Sequence, residues 1–576
     1  MTNIRKILNE TTLSSWLIFA MMTMTLFVMN CLFHYYAFGS ILVSTLWKNP
    51  LVFLEFYGIK FFIASGLSCW VFCFKRIEWT WILIIAANIW IEANLMYFRN
   101  SGFFIDTSAL LMATNLQGYI SAISIYWHQK DWVFVVLSCS YVILTSCIYF
   151  ISSKHRKKVW VALVIFVVSV TMHSILRYTQ EQRLLGEDVE YKWNVFAHNT
   201  RKKTYQEILL IKEHSILHAF FFDIVDLIVL KNDKYTLTGQ DYQFISQMLG
   251  EAKQPDERAK ESLIVVLVES FETWVLTKDI MPNLWQFIHN DNVFYAPQVV
   301  SQIKQGTSSD GQLIITTGLL PITEGATVFR FPHDSFPSFN QWYDRSILLN
   351  PCGEIWNQKR MTEAYHYLDY IEWQEQRDAY VIDSAITVFS QVTKPLSMCV
   401  ITSSTHAPFT VSGLDWTYEV PSEMPNAMAR YIQSFHYLDQ SLKPLLDRML
   451  TDSVFANTVL VIAADHKVFD EESRRMFRDY CSLHNMDLNP QLPYTPLIIY
   501  SPSIQQNTIY SSIAYQMDIY PTIQGLVLDS VEDIWRGVGR NLLYDSSSTI
   551  DEETAYILSD KIIRGNYFKS RKCKPN

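Results

Sequence analysis

The stretch Thr458–His466 reads TVLVIAADH, an apolar, partly β-branched run that stops on an acid and an imidazole. Its core, Thr458–Ala463, is too short and too evenly apolar for an amphipathic helix and is expected as a strand buried on both faces. Three other runs share this character: Leu263–Val268 (LIVVLV), Ser397–Ile401 (SMCVI) and Pro496–Tyr500 (PLIIY). With helix-like segments between them, they predict an α/β domain on a mostly parallel sheet covered by helices on both faces. In such a sheet ligands bind beyond the carboxyl ends of the strands.

Those ends are polar here. Glu269-Ser270 follows the first strand, Ser403-Ser404-Thr405-His406 the second, and Asp465-His466 the third. A fourth cluster, Gln305-Gly306-Thr307-Ser308-Ser309-Asp310-Gly311, opens an apolar helix-like run. Two carboxylates and an imidazole, Glu269, Asp465 and His466, suit a hard-to-borderline divalent cation such as Mn²⁺ or Zn²⁺. A hydroxyl held by such an ion loses its proton near neutral pH and becomes a nucleophile. Gly306 permits close backbone approach, and the start of the following helix offers free amides to a phosphoryl group. His406 is suited to bind a phosphate oxygen or protonate a leaving alkoxide. Plainer readings exist for each residue: a helix cap for Asp465, Ser309 and Asp310, a packed imidazole for His466 and His406. Their joint occurrence at strand ends weighs against those readings.

Upstream of this domain the composition changes. The chain of 576 residues is 49% hydrophobic and 18% charged overall, but residues 1 to about 177 are mostly apolar and aromatic. Five segments are long enough to cross a bilayer: Trp16–Tyr36, Leu51–Phe74, Trp79–Tyr97, Trp132–Ile151 and Val159–Leu176. The first is too long, and lacks a small-residue cleavage site, for a removable signal peptide. With the N-terminus cytoplasmic, the inner segments carry Arg5, Lys6, Lys75, Arg76, Lys154, Arg156, Lys157 and Lys158, and the outer loops only Lys48, Arg99 and Lys130. That bias predicts a cytoplasmic N-terminus and, after an odd number of spans, an extracytoplasmic domain on the cell membrane. Ser108–Ser124 reads as a helix lying on the outer surface. Glu55, Lys60, Glu92, His34 and His173 fall in or near the spans, and the plainer expectation for Glu55 and Glu92 is snorkelling or pairing near the interface.

The predicted organisation is therefore a five-span domain (1–177), a helical connector at the membrane surface with helical patterns at Tyr205–Lys212 and His218–Val229 (178–260), a catalytic domain (261–545) and a C-terminal tail (546–576). A net charge of −9 and a pI near 5.9 argue against a nucleic-acid partner. No spacing among the nine cysteines suggests a structural zinc, and Cys352, Cys399, Cys481 and Cys573 cannot be paired from sequence.

With these pieces assembled, the chain resembles the lipoteichoic acid synthase family within the alkaline phosphatase/sulfatase superfamily. The resemblance rests on LIVVLVESF with Glu269, GTSSDGQ, STHAPF with His406, IAADH with Asp465 and His466, and QMDIYPTIQGL followed by RGVGRNLL, all in the family's order. It runs from the spans to about Leu543. It implies a membrane-anchored transferase that moves phosphoglycerol or phosphoethanolamine from a phospholipid to a glycan, lipid or polymer through a covalent phospho-Ser/Thr intermediate. It also implies one divalent ion, Mn²⁺ favoured over Zn²⁺ or Mg²⁺, held by Glu269, Ser308, Asp465 and His466. Aligning on the Ser-Asp pair of the family's G-x-T-S-D places Ser308 at the nucleophile, with Thr307 as the alternative. His406, Trp356 and Gln358 take the substrate-binding positions.

Two departures stand out. The family's W-N-R appears as Trp356-Asn357-Gln358, which removes a guanidinium able to hold phosphate bidentately. Lys467 follows the Asp-His pair and, with Arg330, Arg360 and Arg377, is a candidate to compensate. The sulfatase signature C/S-x-P-x-R is absent around Ser308. Two further readings stay open at this level: a phosphodiesterase, phosphatase or atypical sulfatase using water as acceptor, and a non-catalytic envelope-binding protein.

Overall fold

The structure, a computed structural model, describes residues 13–39, 50–101 except 75, 104–105, 127–151, 158–185, 215–217, 235–249 and 258–572, apart from 324, 333–334, 374–376, 410–416, 530–533 and 545–549. The expected helices at Ser108–Ser124, Tyr205–Lys212 and His218–Val229 lie outside the described residues. Two compact units emerge, one of Met1–Thr107 with Tyr126–Lys231, the other of Ser108–Ile125 with Asn232–Asn576.

The first unit holds helices α1 (Leu13–Phe38), α2 (Pro50–Ser68), α3 (Glu78–Ser101), α4 (Trp132–Ile151) and α5 (Val159–Leu185). Each contains a stretch long and apolar enough to cross a membrane, at the five places the hydropathy pattern puts them. The fifth helix runs on to Leu185, past the boundary drawn at 177. Gly58 lets α2 and α5 meet, since a Cβ there would stand 2.6 Å from Leu176 Cδ1. Glu55 and Lys60 are fully buried and Glu92 is 7% exposed. The Lys60 ammonium sits 3.4 Å over the Phe56 ring. Arg99 and Asp131 form a buried two-pronged ion pair at 2.6 and 2.9 Å.

The second unit contains a nine-stranded sheet. In chain order its elements are α6 (Gly239–Leu249), β1 (Ser262–Val268), β2 (Val293–Val300), α7 (Thr307–Thr317), β3 (Ser346–Asn350), α8 (Gln358–Ala364), β4 (Asp369–Glu372), α9 (Asp378–Gln391), β5 (Ser397–Ile401), α10 (Asn426–Thr451), β6 (Thr458–Ala464), α11 (Glu471–Leu483), β7 (Tyr494–Tyr500), β8 (Thr508–Ile509), β9 (Ala514–Tyr515), α12 (Ile519–Val527) and α13 (Glu552–Arg564). The strand order is β4-β3-β5-β1-β6-β7-β2-β8, with β9 also on β2. From β4 to β6 all neighbours are parallel. Leu263, Val265 and Leu267 of β1 join the core formed with α6, α7, α12 and α13. The alternate Ile264, Val266 and Val268 are equally buried. Both faces are therefore covered, which is why β1 and β6 carry unbroken apolar runs.

The mostly parallel sheet stands with one exception, and two domain boundaries need correction. The run ending at Tyr500 belongs to β7, which is antiparallel to both β6 and β2; an apolar run fixes burial but carries no direction. The segment read as a C-terminal tail is core: Ala555, Leu558, Ile562 and Ile563 are buried, with Tyr567 and Phe568 beyond them. The end of the supposed connector joins the same core through Ile245 and Leu249 of α6. Asp241 pairs with Lys561 at 3.1 Å, and Tyr235 N–H donates to Arg564 O, so both ends of this unit are stitched together.

Candidate active site

Strand register decides which polar ends become neighbours. Val268 of β1 lies opposite Ala464 of β6, so Glu269 and Asp465 leave the sheet side by side. On the other flank β5 pairs with β1, and Thr402 N–H donates to Leu267 O, bringing the 402–406 loop against Glu269. Helix α7 then delivers Ser308. Its approach depends on Gly311, where a Cβ would stand 2.2 Å from the backbone oxygen of Asp465.

The Ser308 hydroxyl donates to Glu269 Oε2 at 3.1 Å and lies 3.2 Å from His466 Nε2. His466 Nε2 is 3.4 Å from Glu269 Oε1 and 3.5 Å from Asp465 Oδ2. All three ligand atoms of Glu269, Asp465 and His466 fall within 4.8 Å of one another, and all three residues are buried. Ser270, in a left-handed conformation at φ 60°, gives its N–H to Asp465 Oδ1 and its hydroxyl to Glu269 Oε1, both at 2.7 Å. Backbone strain of this kind concentrates at sites where side chains must be aimed.

The neighbours of Ser308 do not cap the helix, whose N-cap is Gly306 with no side-chain bond; they tie down the loop that leads into it. Asp310 accepts from Lys304 N–H and Gly306 N–H, each at 2.9 Å, and Ser309 donates to Gly306 O. Burial pushes the Asp310 carboxyl up to about 7 against those bonds. Ser309 and Asp310 thus fix the loop before the helix, while the Ser308 hydroxyl faces Glu269 and His466. Thr307 is buried at φ 39°.

The electrostatics fit a cation. His466 Nδ1 faces the Lys467 carbonyl at 2.8 Å, so Nδ1 carries the hydrogen and Nε2 faces the carboxylates. Burial pulls the imidazolium down, but Asp465 and Glu269 outweigh it and push its pKa up to about 10. Burial and the Glu269 charge raise Asp465 to about 8. Burial opposes ionisation of Glu269 too, yet hydrogen bonding and charge from His466, with charge from His406, hold it well below the carboxylate range. The triad therefore retains a proton where a divalent ion would place its charge, and two carboxylates, an imidazole and a hydroxyl make a fitting donor set.

His406 is exposed at the same site, its Nδ1 2.6 Å from Ala407 O. Trp356 and Asn357 both adopt left-handed φ, 58° and 56°, and Trp356 is half-buried against Phe329. Gln358 departs from its expected role. It is 6% exposed and its amide donates to Gln312 Oε1 at 2.8 Å, tying α8 to α7 rather than facing an open pocket. Arg360 pairs with Glu363 at 2.9 Å. The charged groups acting on Lys467 are Arg474, Glu272 and Glu471, not the metal-type ligands.

Several contributors escaped the sequence reading. Gln516 donates to Asp465 O at 2.7 Å; it lies within the QMDIYPTIQGL motif, which was the available signal. Glu272, buried against Arg474, accepts from Val468 N–H at 2.8 Å and Phe469 N–H at 3.2 Å and so holds the chain after His466. Cys352 sits near the site, its thiol pushed up to about 12 by burial and by Glu269. Cys352, Cys399 and Cys481 are free thiols.

This geometry, three candidate metal ligands at the carboxyl ends of parallel strands with a hydroxyl at a helix start, is suited to metal-assisted chemistry on a phosphoester. The Sulfatase family model matches residues 322–530. A lipoteichoic acid synthase of Staphylococcus saprophyticus is 22% identical over 98% of this chain and 90% of its own length. One from Staphylococcus aureus is 21% identical over 88% of this chain and 81% of its own. Among solved structures, the integral membrane lipooligosaccharide phosphoethanolamine transferase A of Neisseria meningitidis superposes with a TM-score of 0.50 at 10% identity, covering 88% of this chain and 95% of that one. The chain is thus similar to lipoteichoic acid synthases over most of its length, carries a match to the Sulfatase family model, and has five helices long and apolar enough to cross a membrane.

Proposed function

We propose that this protein transfers a phosphoglycerol or phosphoethanolamine group from a membrane phospholipid to a glycan, lipid or polymer hydroxyl on the outer side of the cell membrane, with Ser308 as nucleophile. The observation that carries this reading is a single hydroxyl, Ser308 Oγ, within hydrogen-bonding distance of both Glu269 and His466. The likeness to lipoteichoic acid synthases over most of the chain supports it, and the Lys/Arg bias of the loops supports the outward orientation.

Glu269, Ser308, Asp465 and His466 would hold one divalent ion, whose chemistry there is to lower the pKa of the Ser308 hydroxyl and offset charge on the phosphate. Mn²⁺, Zn²⁺ and Mg²⁺ all suit the ligands. Ser308 Oγ bonds to phosphorus as the bond to the diacylglycerol oxygen breaks, and diacylglycerol leaves with a proton. The head-group phosphate stays esterified to Ser308. An acceptor hydroxyl then attacks phosphorus from the face that diacylglycerol vacated, and Ser308 regains its proton. His406, exposed beside Glu269, is placed to hold a phosphate oxygen or carry that proton. Trp356, at the tryptophan position of the family's W-N-R, would supply an aromatic wall for the head group.

Mass spectrometry of protein purified from its own membrane tests this reading. A glycerophosphate or phosphoethanolamine adduct on Ser308 is expected. An unmodified Ser308 together with steady release of free head-group phosphate from labelled phosphatidylglycerol or phosphatidylethanolamine would make the protein a hydrolase instead.

A further inference from the structure

Burial, charge and hydrogen bonding single out one residue that no motif marks. Asp378 opens helix α9 and is completely buried. Its Oδ1 accepts from Ser403 N–H at 2.8 Å and Ser404 N–H at 3.3 Å, and its Oδ2 accepts from the Ser404 hydroxyl. These three donors belong to the two residues that start the turn ending at His406, whose own N–H donates to Ser403 O at 3.1 Å. The other side of the same loop is pinned to Glu269: Thr402 Oγ1 accepts from Glu269 N–H at 3.1 Å, and Thr405 Oγ1 donates to Glu269 O at 2.7 Å.

We infer that Asp378 is a positioning residue for His406, holding the 403–406 turn so that the exposed imidazole meets the substrate phosphate beside Glu269. A carboxylate with no solvent contact does not touch substrate, so it acts through the loop it holds. A loop leaving a strand end needs partners for its amides, and a serine or asparagine would supply them without a buried charge. A full carboxylate here is costly: burial, acting against the hydrogen bonds of Ser404 and Ser403, pushes its pKa up to about 6. What it adds over a neutral cap is simultaneous acceptance from two amides and a hydroxyl, which removes the freedom of the turn to pivot. Misplacement of a catalytic group by about 1 Å costs on the order of 100-fold in rate. The inference rests on the proposed transfer reaction for the role of His406.

The test is a double-mutant cycle on the full-length protein in detergent, with fluorescent phosphatidylglycerol or phosphatidylethanolamine as donor. Asp378→Ala is expected to lower kcat about tenfold or more while divalent-metal content and KM change little. In a His406→Ala background the same change should cost less than about twofold, because its effect passes through the missing imidazole. Independent, multiplying losses in the two backgrounds, or loss of metal with Asp378→Ala, would overturn the inference. Ser404→Ala, which removes one of the three bonds, repeats the cycle should Asp378→Ala fail to fold. If the wild-type protein consumes neither lipid, the transfer reading fails by itself. The same four proteins titrated with inorganic phosphate by calorimetry then still decide the inference: non-additive weakening supports it, additive weakening sinks it.

Discussion

Ser308 Oγ stands 3.1 Å from Glu269 Oε2, although 39 residues separate them along the chain. One residue is the first turn of α7 and the other is the step off β1, and neither element would aim its side chain at the other without the sheet between them. Replacing Ser308 with alanine should leave the fold intact, since the residue is only half-buried. It should also remove the phospho-adduct and lower turnover by about 1,000-fold or more. Thr307→Ala should keep much of the rate. Steady-state assays on both variants check this, and the reverse result reassigns the nucleophile.

Gly311 predicts a different failure. A methyl at this position would press on the Asp465 carbonyl from 2.2 Å, and that backbone cannot move without carrying its carboxylate along. Gly311→Ala should destabilise the protein by about 1–3 kcal/mol. Metal occupancy, measured by elemental analysis, should fall with it. Full occupancy and an unchanged rate would show that α7 has room to withdraw.

The Gln312–Gln358 amide pair occupies the place where the family's arginine is expected. Gln312 is 2% exposed, so a guanidinium at 358 would enter a neutral, closed site. Gln358→Arg should therefore lower the melting temperature, by an amount equivalent to about 2 kcal/mol or more. Adding Gln312→Glu should recover much of the loss by pairing the charge. A Gln358→Arg protein as stable as wild type would mean that the side chain swings into solvent.

Metal affinity should rise with pH. Burial pulls His466 down, but Asp465 and Glu269 hold it above its ordinary range, and burial with the Glu269 charge raises Asp465, so the metal-free site shares a proton at neutral pH, and binding must expel it. The bound state carries fewer protons than the free state, so affinity grows with pH, by about tenfold per unit for each proton released. Chelator competition at pH 6.5 and 7.5 measures the slope. A flat profile would place the ion on ligands other than these.

Much of the molecule was legible in the chain itself. Five spans followed from hydropathy, because crossing hydrocarbon requires about 20 largely apolar residues, and five helices among the described residues satisfy that. Strands β1, β5 and β6 followed from burial on both faces, and Glu269, His406, Asp465 and His466 from standing where those runs stop. Strands β2, β3 and β4 were missed. Pro297 interrupts β2 at a register shift, β3 has five residues, and β4 keeps exposed acids at both ends, so no apolar run announces them. The direction of β7 and the docking of α13 were equally hidden, since an apolar pattern reports what is buried but not against what. Only the tertiary structure decided that Val268 lies opposite Ala464, that Gly311 meets the backbone of Asp465 and that Asp378 holds the turn before His406. These are contacts between residues far apart in the chain, and each follows from strand register and close packing, which no local stretch of sequence encodes.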